Sequence, residues 1–140
     1  MKVKLILTGK TNERYLREGM DMYVARIGHY VPFELLEVAE GQVMKQIRPG
    51  DCVVLLDERG QSLSSVDWAR NLEQKAVHLP KDLVFVIGGP YGFPKELYDR
   101  SDELLSLSKM TMSHQLVRLV FLEQLYRAMT IIKGEHYHHE

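Results

Sequence analysis

The sequence predicts an α/β domain in which helices flank a mostly parallel sheet. Short β-branched and aliphatic runs alternate with helical patterns from end to end, the signature of that layer architecture. Two of the runs, Val53-Val54-Leu55-Leu56 and Leu83-Val84-Phe85-Val86-Ile87, are apolar without alternation, as central strands covered on both faces are. At 140 residues with 45% hydrophobic content, the chain suits one continuous core. A single domain over residues 1–140 is therefore expected.

In chain order, the expected strands are Val3 to Thr8, Phe33 to Val38, Cys52 to Leu56, Leu83 to Ile87 and Leu104 to Leu107. A first helix should open at Asn12, a good N-cap, and bury Leu16, Met20, Tyr23 and Ile27 at i, i+4 steps. A short helix and a turn should follow the second strand and end at Arg48-Pro49-Gly50. The next helix opens at Ser64 or Ser65 and runs to about Val77, because Pro80 forbids continuation. Pro94 suits the first turn of another.

The last helix is the longest, from an N-cap at Ser113 to a stop near Gly134. Val117, Phe121, Leu122, Leu125, Ala128, Met129 and Ile132 fill one side of it, while Leu116, Leu119, Val120 and Ile131 lie outside that arc. A helix apolar this far round calls for two partners, its own sheet and, by expectation, a second subunit.

Formal net charge is -1 and the sequence pI is about 6.6, so the basic footprint of an autonomous nucleic-acid binder is missing. An RNA substrate would have to be held by a local basic surface, a second subunit or a large preformed RNA particle. No apolar stretch is long enough to span a bilayer, and the start at Met1 lacks the pattern of a signal peptide. The lone Cys52 reads as a buried thiol in a reducing compartment, so a cytoplasmic protein is expected.

Four motifs carry chemistry or its alternatives. Gly9-Lys10-Thr11 sits between a strand and a helix as the end of a P-loop does, but Lys4 holds the place of the required first glycine, so a tight connection is expected. Gly88-Gly89-Pro90-Tyr91-Gly92-Phe93 follows the most apolar strand. Its three glycines permit close ligand approach at a strand's C-terminal end, or merely a turn. Leu105 to His114 forms a polar, Met-punctuated loop whose hydroxyls and backbone could hold an adenine edge, with ordinary capping and core filling as the alternative. The tail Gly134 to Glu140 combines a phenol with three imidazoles, suited to proton acceptance or base stacking if it is not a frayed end. No metal site is expected from it, since its histidines lack a rigid spacing.

Taken together, the Ile87 to Gly92 loop, the Leu105 to Thr111 stretch with His114, the Leu122-Glu123-Gln124-Leu125-Tyr126-Arg127-Ala128 helix and the Tyr137-His138 ending resemble the RlmH-type family of bacterial large-subunit rRNA pseudouridine methyltransferases. The resemblance covers essentially the whole chain. It implies a SPOUT fold with a C-terminal trefoil knot, S-adenosyl-L-methionine as cofactor, a homodimer, and methylation at N3 of a pseudouridine in 23S ribosomal RNA of the assembled ribosome. By the same resemblance, Leu56, Gly88, Gly89, Ser108, Lys109, Met110, Thr111, Met112 and Ser113 line the cofactor pocket. His114, Arg127, Tyr137 and His138 face the target base, with His138 as proton acceptor, Tyr137 positioning the base and Arg127 on an oxygen. The tail departs from the family pattern at His136, where a proline is usual, and at His139, where a basic residue is frequent. Two other classes remain open on the residues alone, a non-catalytic α/β dimer that binds RNA or a nucleotide, and a metabolic enzyme using the glycine loop for a phosphate.

Overall fold

The computed structural model describes residues 1–79 and 81–139. Five strands, β1 (Val3–Thr8), β2 (Phe33–Val38), β3 (Cys52–Ser62), β4 (Leu83–Ile87) and β5 (Glu103–Ser106), alternate with four helices. These are α1 (Arg14–Ile27), α2 (Ser65–His78), α3 (Lys95–Arg100) and α4 (Leu116–Ile132), with a 3₁₀ turn at Val43–Gln46. The sheet order is β2-β1-β4-β3-β5 and every pairing is parallel. The predicted class is the observed one.

Alternation along the strands divides the core between the two faces. Val3, Leu5, Leu7, Val54, Leu83, Phe85 and Ile87 point to one side and pack on α1, α2 and α4. Ile6, Val53, Leu55, Val84 and Val86 point to the other, covered by Leu97 of α3 and Val43 of the 3₁₀ turn. Trp68, Phe85 and Phe121 meet one another in tilted and edge-on contacts, with centroids 4.9 to 6.0 Å apart, and join α2, β4 and α4.

Several boundaries differ from expectation for local reasons. Asn12 does not cap α1; its N–H donates to the Gln115 side chain at 2.8 Å, and Glu13 takes the N-cap position without a side-chain bond. Ser64 caps α2 by accepting from the Asp67 N–H, as its position suggests. That helix ends at His78, and the stop attributed to Pro80 lies outside the described residues. Ser113 accepts from the Leu116 N–H at 3.0 Å, so it caps a turn that leads into α4. Gly134, at φ +71, closes the far end.

β3 continues to Ser62 because its register against β5 shifts between Leu56 and Gln61, leaving residues 57–60 as an excursion. Gly60 makes this possible: a Cβ there would lie 2.5 Å from the backbone carbon of Leu104.

The flanks of α4 are covered by α1 and α2 of the same chain. Its apolar circumference therefore asks less of a second subunit than the sequence suggests. Phe121, Leu122, Leu125, Ala128 and Met129 are buried, and so are two polar residues, Arg118 and Thr130. The Arg118 guanidinium donates to the Thr11 hydroxyl at 2.9 Å and the Thr8 carbonyl at 2.7 Å, and stands 3.5 Å from Glu37. Burial lowers its pKa while Glu37 opposes the shift. Since Glu37 also accepts from the Thr11 N–H and hydroxyl, one buried cation ties α4 to the β1–α1 connection and to β2.

Cys52 is half-buried, and burial with Glu103 and Asp102 nearby pushes its thiol up, away from a reactive thiolate. Among the described residues no helix is long and apolar enough to cross a membrane.

Candidate active site

The C-terminal ends of β4 and β5, with Leu56 and the excursion that follows it in β3, open into a cavity of about 640 Å³, at the edge where parallel sheets bind ligands. Leu56, Gly88, Gly89, Ser108, Met110, Thr111 and Met112 line it, as does His114 at the approach to α4. Lys109 and Ser113, expected among them, are not on its walls. Lys109 is exposed beside Met110, and Ser113 is engaged in capping.

Each loop has a reason for its shape. The glycine loop turns back at Gly89-Pro90-Tyr91-Gly92, closed by a 3.1 Å bond from the Gly92 N–H to the Gly89 carbonyl, with Gly92 at φ +74. A Cβ on Gly88 would stand 3.1 Å from both the Gly92 oxygen and the Phe93 ring, whereas one on Gly89 would make ordinary contact with Thr8 at 3.7 Å. Of the two glycines, Gly88 is thus the tightly fitted one. In the second loop the Ser106 hydroxyl donates to the Ser108 carbonyl at 2.9 Å, and the Met110 N–H donates to the Ser108 hydroxyl at 2.9 Å.

The β3 excursion adds a wall that sequence reasoning missed. Asp57, Arg59 and Tyr98 all line the cavity. The Asp57 carboxylate accepts from the Arg59 N–H at 2.8 Å, from the Arg59 guanidinium and from the Tyr98 hydroxyl. Burial favours its neutral form, but these donors hold it below the usual carboxylate range; the Tyr98 phenol is pushed up by burial and then by Asp57. The available signal was an acid directly after an apolar parallel strand, followed closely by a glycine.

The remaining predicted residues gather elsewhere. Arg127 pairs with Glu123 at 2.8 Å, the Tyr137 hydroxyl donates to the same carboxylate at 2.9 Å, and Arg127 Nη1 lies 3.0 Å from His138 Nδ1. The Arg127 guanidinium sits 4.8 Å above the Tyr137 ring, which meets Tyr126 edge-on at 4.7 Å. The tail is therefore docked on α4 rather than frayed. Glu123, one turn before Arg127, organises it, a role not expected for Glu123 from sequence. Burial first, then Tyr23 and Glu123, raises the Tyr137 pKa, so this residue is a neutral donor and ring at physiological pH. A guanidinium only donates, so in this contact Nδ1 is the acceptor. His136 and His139 are exposed.

Within one chain the two groups stand apart. Arg127 follows the cavity-lining Val117 by ten residues of α4, about 15 Å along the helix axis. None of Arg127, Tyr137 and His138 lines the cavity.

The parallel α/β layers and the loop-lined cavity at the strand ends define the class, an α/β domain that binds a small ligand at its strand ends. A family model described as a predicted SPOUT methyltransferase matches residues 1–138. The ribosomal RNA large subunit methyltransferase H of Parabacteroides distasonis is 45% identical over 157 residues, covering 100% of both chains. That of Bacteroides fragilis strain ATCC 25285 is 44% identical with the same coverage. The SpoU methyltransferase AviRb from Streptomyces viridochromogenes, solved in complex with the cofactor AdoMet, superposes with a TM-score of 0.53 at 12% identity, over 97% of this chain and 59% of its own; it speaks for the fold alone. The chain belongs to the SPOUT methyltransferase family, among the ribosomal RNA large subunit methyltransferase H proteins.

Proposed function

We propose that this protein transfers a methyl group from S-adenosyl-L-methionine to N3 of a pseudouridine in 23S ribosomal RNA of the assembled ribosome, working as a homodimer. The observation that carries this is the glycine-edged cavity at the strand ends, in a chain related over its full length to ribosomal RNA large subunit methyltransferase H. The fit of the cofactor rests on a volume typical of small-molecule pockets and on walls that join apolar Leu56, Leu107 and Met112 to the polar loop at residues 108–111.

When bound, the cofactor supplies an electrophilic sulfonium methyl. The residues then have two tasks, to align the base nitrogen and to remove its imide proton. Gly88, Gly89 and the Ser108–Met112 loop hold the cofactor in a knotted C-terminal half. Tyr137, kept as a phenol, positions the base. Arg127 turns from His138 to a uracil-type oxygen, and the freed Nδ1 of His138 accepts the proton. His114, on the cavity wall, approaches the same base.

The separation of the tail from the cavity supports the dimer, because a second copy beside α4 can bring its tail to the first copy's cavity. An unpaired face is available. Tyr15 and Met22 on α1 are 64% and 42% exposed, on either side of Gly19, which packs on Leu119, and Leu116 one turn before Leu119 is 41% exposed.

The test is tritium transfer from labelled cofactor to large subunits purified from cells lacking the gene, with mass mapping of the product. Methylation of a single pseudouridine, strong on assembled subunits and weak on naked rRNA, is expected given the charge of -1. Tight cofactor binding with no transfer to any RNA would instead favour the non-catalytic dimer.

A further inference from the structure

The two most exposed large apolar side chains described in the protein are Tyr91, at 86%, and Met110, at 80%. They belong to the two different loops that form the cavity. Among the described residues Tyr91 has no hydrogen-bond or ring partner, so the ring contributes nothing evident to the fold. Its backbone, by contrast, sits in a hydrogen-bonded turn. Pro90 at the second position of the turn, Gly92 at the fourth and the Gly92-to-Gly89 bond define a β-turn at the tip, and the Phe93 ring two residues on packs edge-on against Tyr98 at 5.6 Å.

Orientation separates this ring from the cofactor. Pro90 and Gly92 line the cavity while Tyr91 between them does not. The ring therefore projects outward at the mouth, where a substrate approaches. Two exposed cations belong to the other segments around the cavity. The Arg59 side chain is 72% exposed although it is paired with Asp57. Lys109, next to Met110, is exposed and has no ion-pair partner among the described residues.

We infer that Tyr91 and Met110 form a stacking platform for an unpaired nucleobase of the RNA next to the nucleotide that enters the cavity, with Lys109 and Arg59 facing its phosphates. A solvated aromatic ring on a surface that also carries exposed cations is what single-stranded nucleic acid binds, since every base has a stacking face. Tyr91 is on this account a substrate-binding residue that acts outside the cofactor pocket. The inference rests on the RNA-methylating function proposed above.

Tyr91→Ala, Tyr91→Phe and wild type are compared in steady-state methyl transfer to unmodified large subunits. Cofactor affinity is measured by calorimetry and assembly by sedimentation. Loss of one base–aromatic stack should raise the KM for subunits by roughly 5- to 150-fold. The cofactor's affinity, kcat and assembly should stay near wild type, and Tyr91→Phe should restore KM. An unchanged KM for Tyr91→Ala overturns the platform. So does a fall confined to cofactor affinity, which would make the ring part of the cofactor site, or a change of oligomeric state, which would make it an interface residue. If the wild type transfers no methyl group, the proposed function fails on its own. Binding of a labelled single-stranded oligoribonucleotide then decides the platform: weakening by Tyr91→Ala sustains it, and equal binding or none by either protein overturns it.

Discussion

Replacing Gly60 with Ala should damage both stability and the cavity at the strand ends, although Gly60 does not line it. The added Cβ would lie 2.5 Å from Leu104 C, 2.6 Å from Leu105 N and 2.7 Å from Leu104 O. All three are backbone atoms, so no side chain can swing aside. To reach ordinary contact at 3.4 Å, β5 must move from β3 by roughly 0.9 Å, within the range where overpacking costs about 1–3 kcal/mol. For a chain of this length that lowers Tm by about 3–10 °C. The same movement shifts Leu105 and the Asp57–Arg59 wall, all of which line the cavity. Affinity for S-adenosyl-L-methionine should then fall roughly tenfold or more, as displacements near an ångström do in organised sites. Thermal unfolding and calorimetry on the same preparation read both effects. A variant as stable and as tight-binding as wild type would refute the role assigned to the excursion.

Other consequences follow from particular contacts. Arg118→Met should cost about 3 kcal/mol in denaturant unfolding, because it strands Thr8, Thr11 and Glu37 after removing their shared cation; a double-mutant cycle with Glu37→Gln should show coupling. His138→Ala should slow methyl transfer by about 10²- to 10⁴-fold, and Glu123→Gln should slow it too by releasing Arg127 and Tyr137, with cofactor affinity unchanged in both. Leu116→Glu should give monomers by sedimentation that still bind the cofactor; a dimer would place the interface elsewhere. The Tyr30 phenol, pushed up to about 12 by burial and Glu135, should titrate above ordinary tyrosines in ultraviolet absorbance, and Tyr30→Phe should reduce the late component that Tyr98 and Tyr137 share. Because the folded pKa lies above the unfolded value near 10, its contribution to stability is complete below pH 10 and is lost as pH rises toward 12.

The parallel sheet was legible because its signals are local. Unbroken apolar runs mark strands covered on both faces, and Val84 and Phe85 do point to opposite core layers. The cavity loops were legible only through the family resemblance, since a glycine cluster after a strand serves equally well as a plain turn and a hydroxyl run as ordinary capping. What could not be read depends on pairing between distant segments. The register shift of β3 against β5 turns Asp57 and Arg59 into pocket residues, yet nothing within Asp57-Glu58-Arg59-Gly60 states which strand Gly60 must approach. Arg118 was hidden in the same way, because its acceptors on Thr8, Thr11 and Glu37 lie more than 80 residues earlier in the chain.

The division of the site follows from the length of α4. Motif order along the chain puts His114, Arg127, Tyr137 and His138 close in sequence and invites the assumption that they converge. A helix separates them instead, because each residue between Val117 and Arg127 adds about 1.5 Å of rise, and the tail folds back only as far as Glu123. A chemical step needing both the cofactor cavity and the Glu123-centred cluster therefore needs either a large rearrangement of the tail or a second copy. The docked tail argues against the first, since detaching it breaks the Tyr137–Glu123 bond, the Arg127–His138 contact and the Tyr126–Tyr137 ring contact together. Mixed dimers distinguish the two. Combining a Gly88→Val subunit, blocked in the cavity, with a His138→Ala subunit, blocked in the tail, should recover part of the activity if the site is shared between copies, and none if each copy works with its own tail.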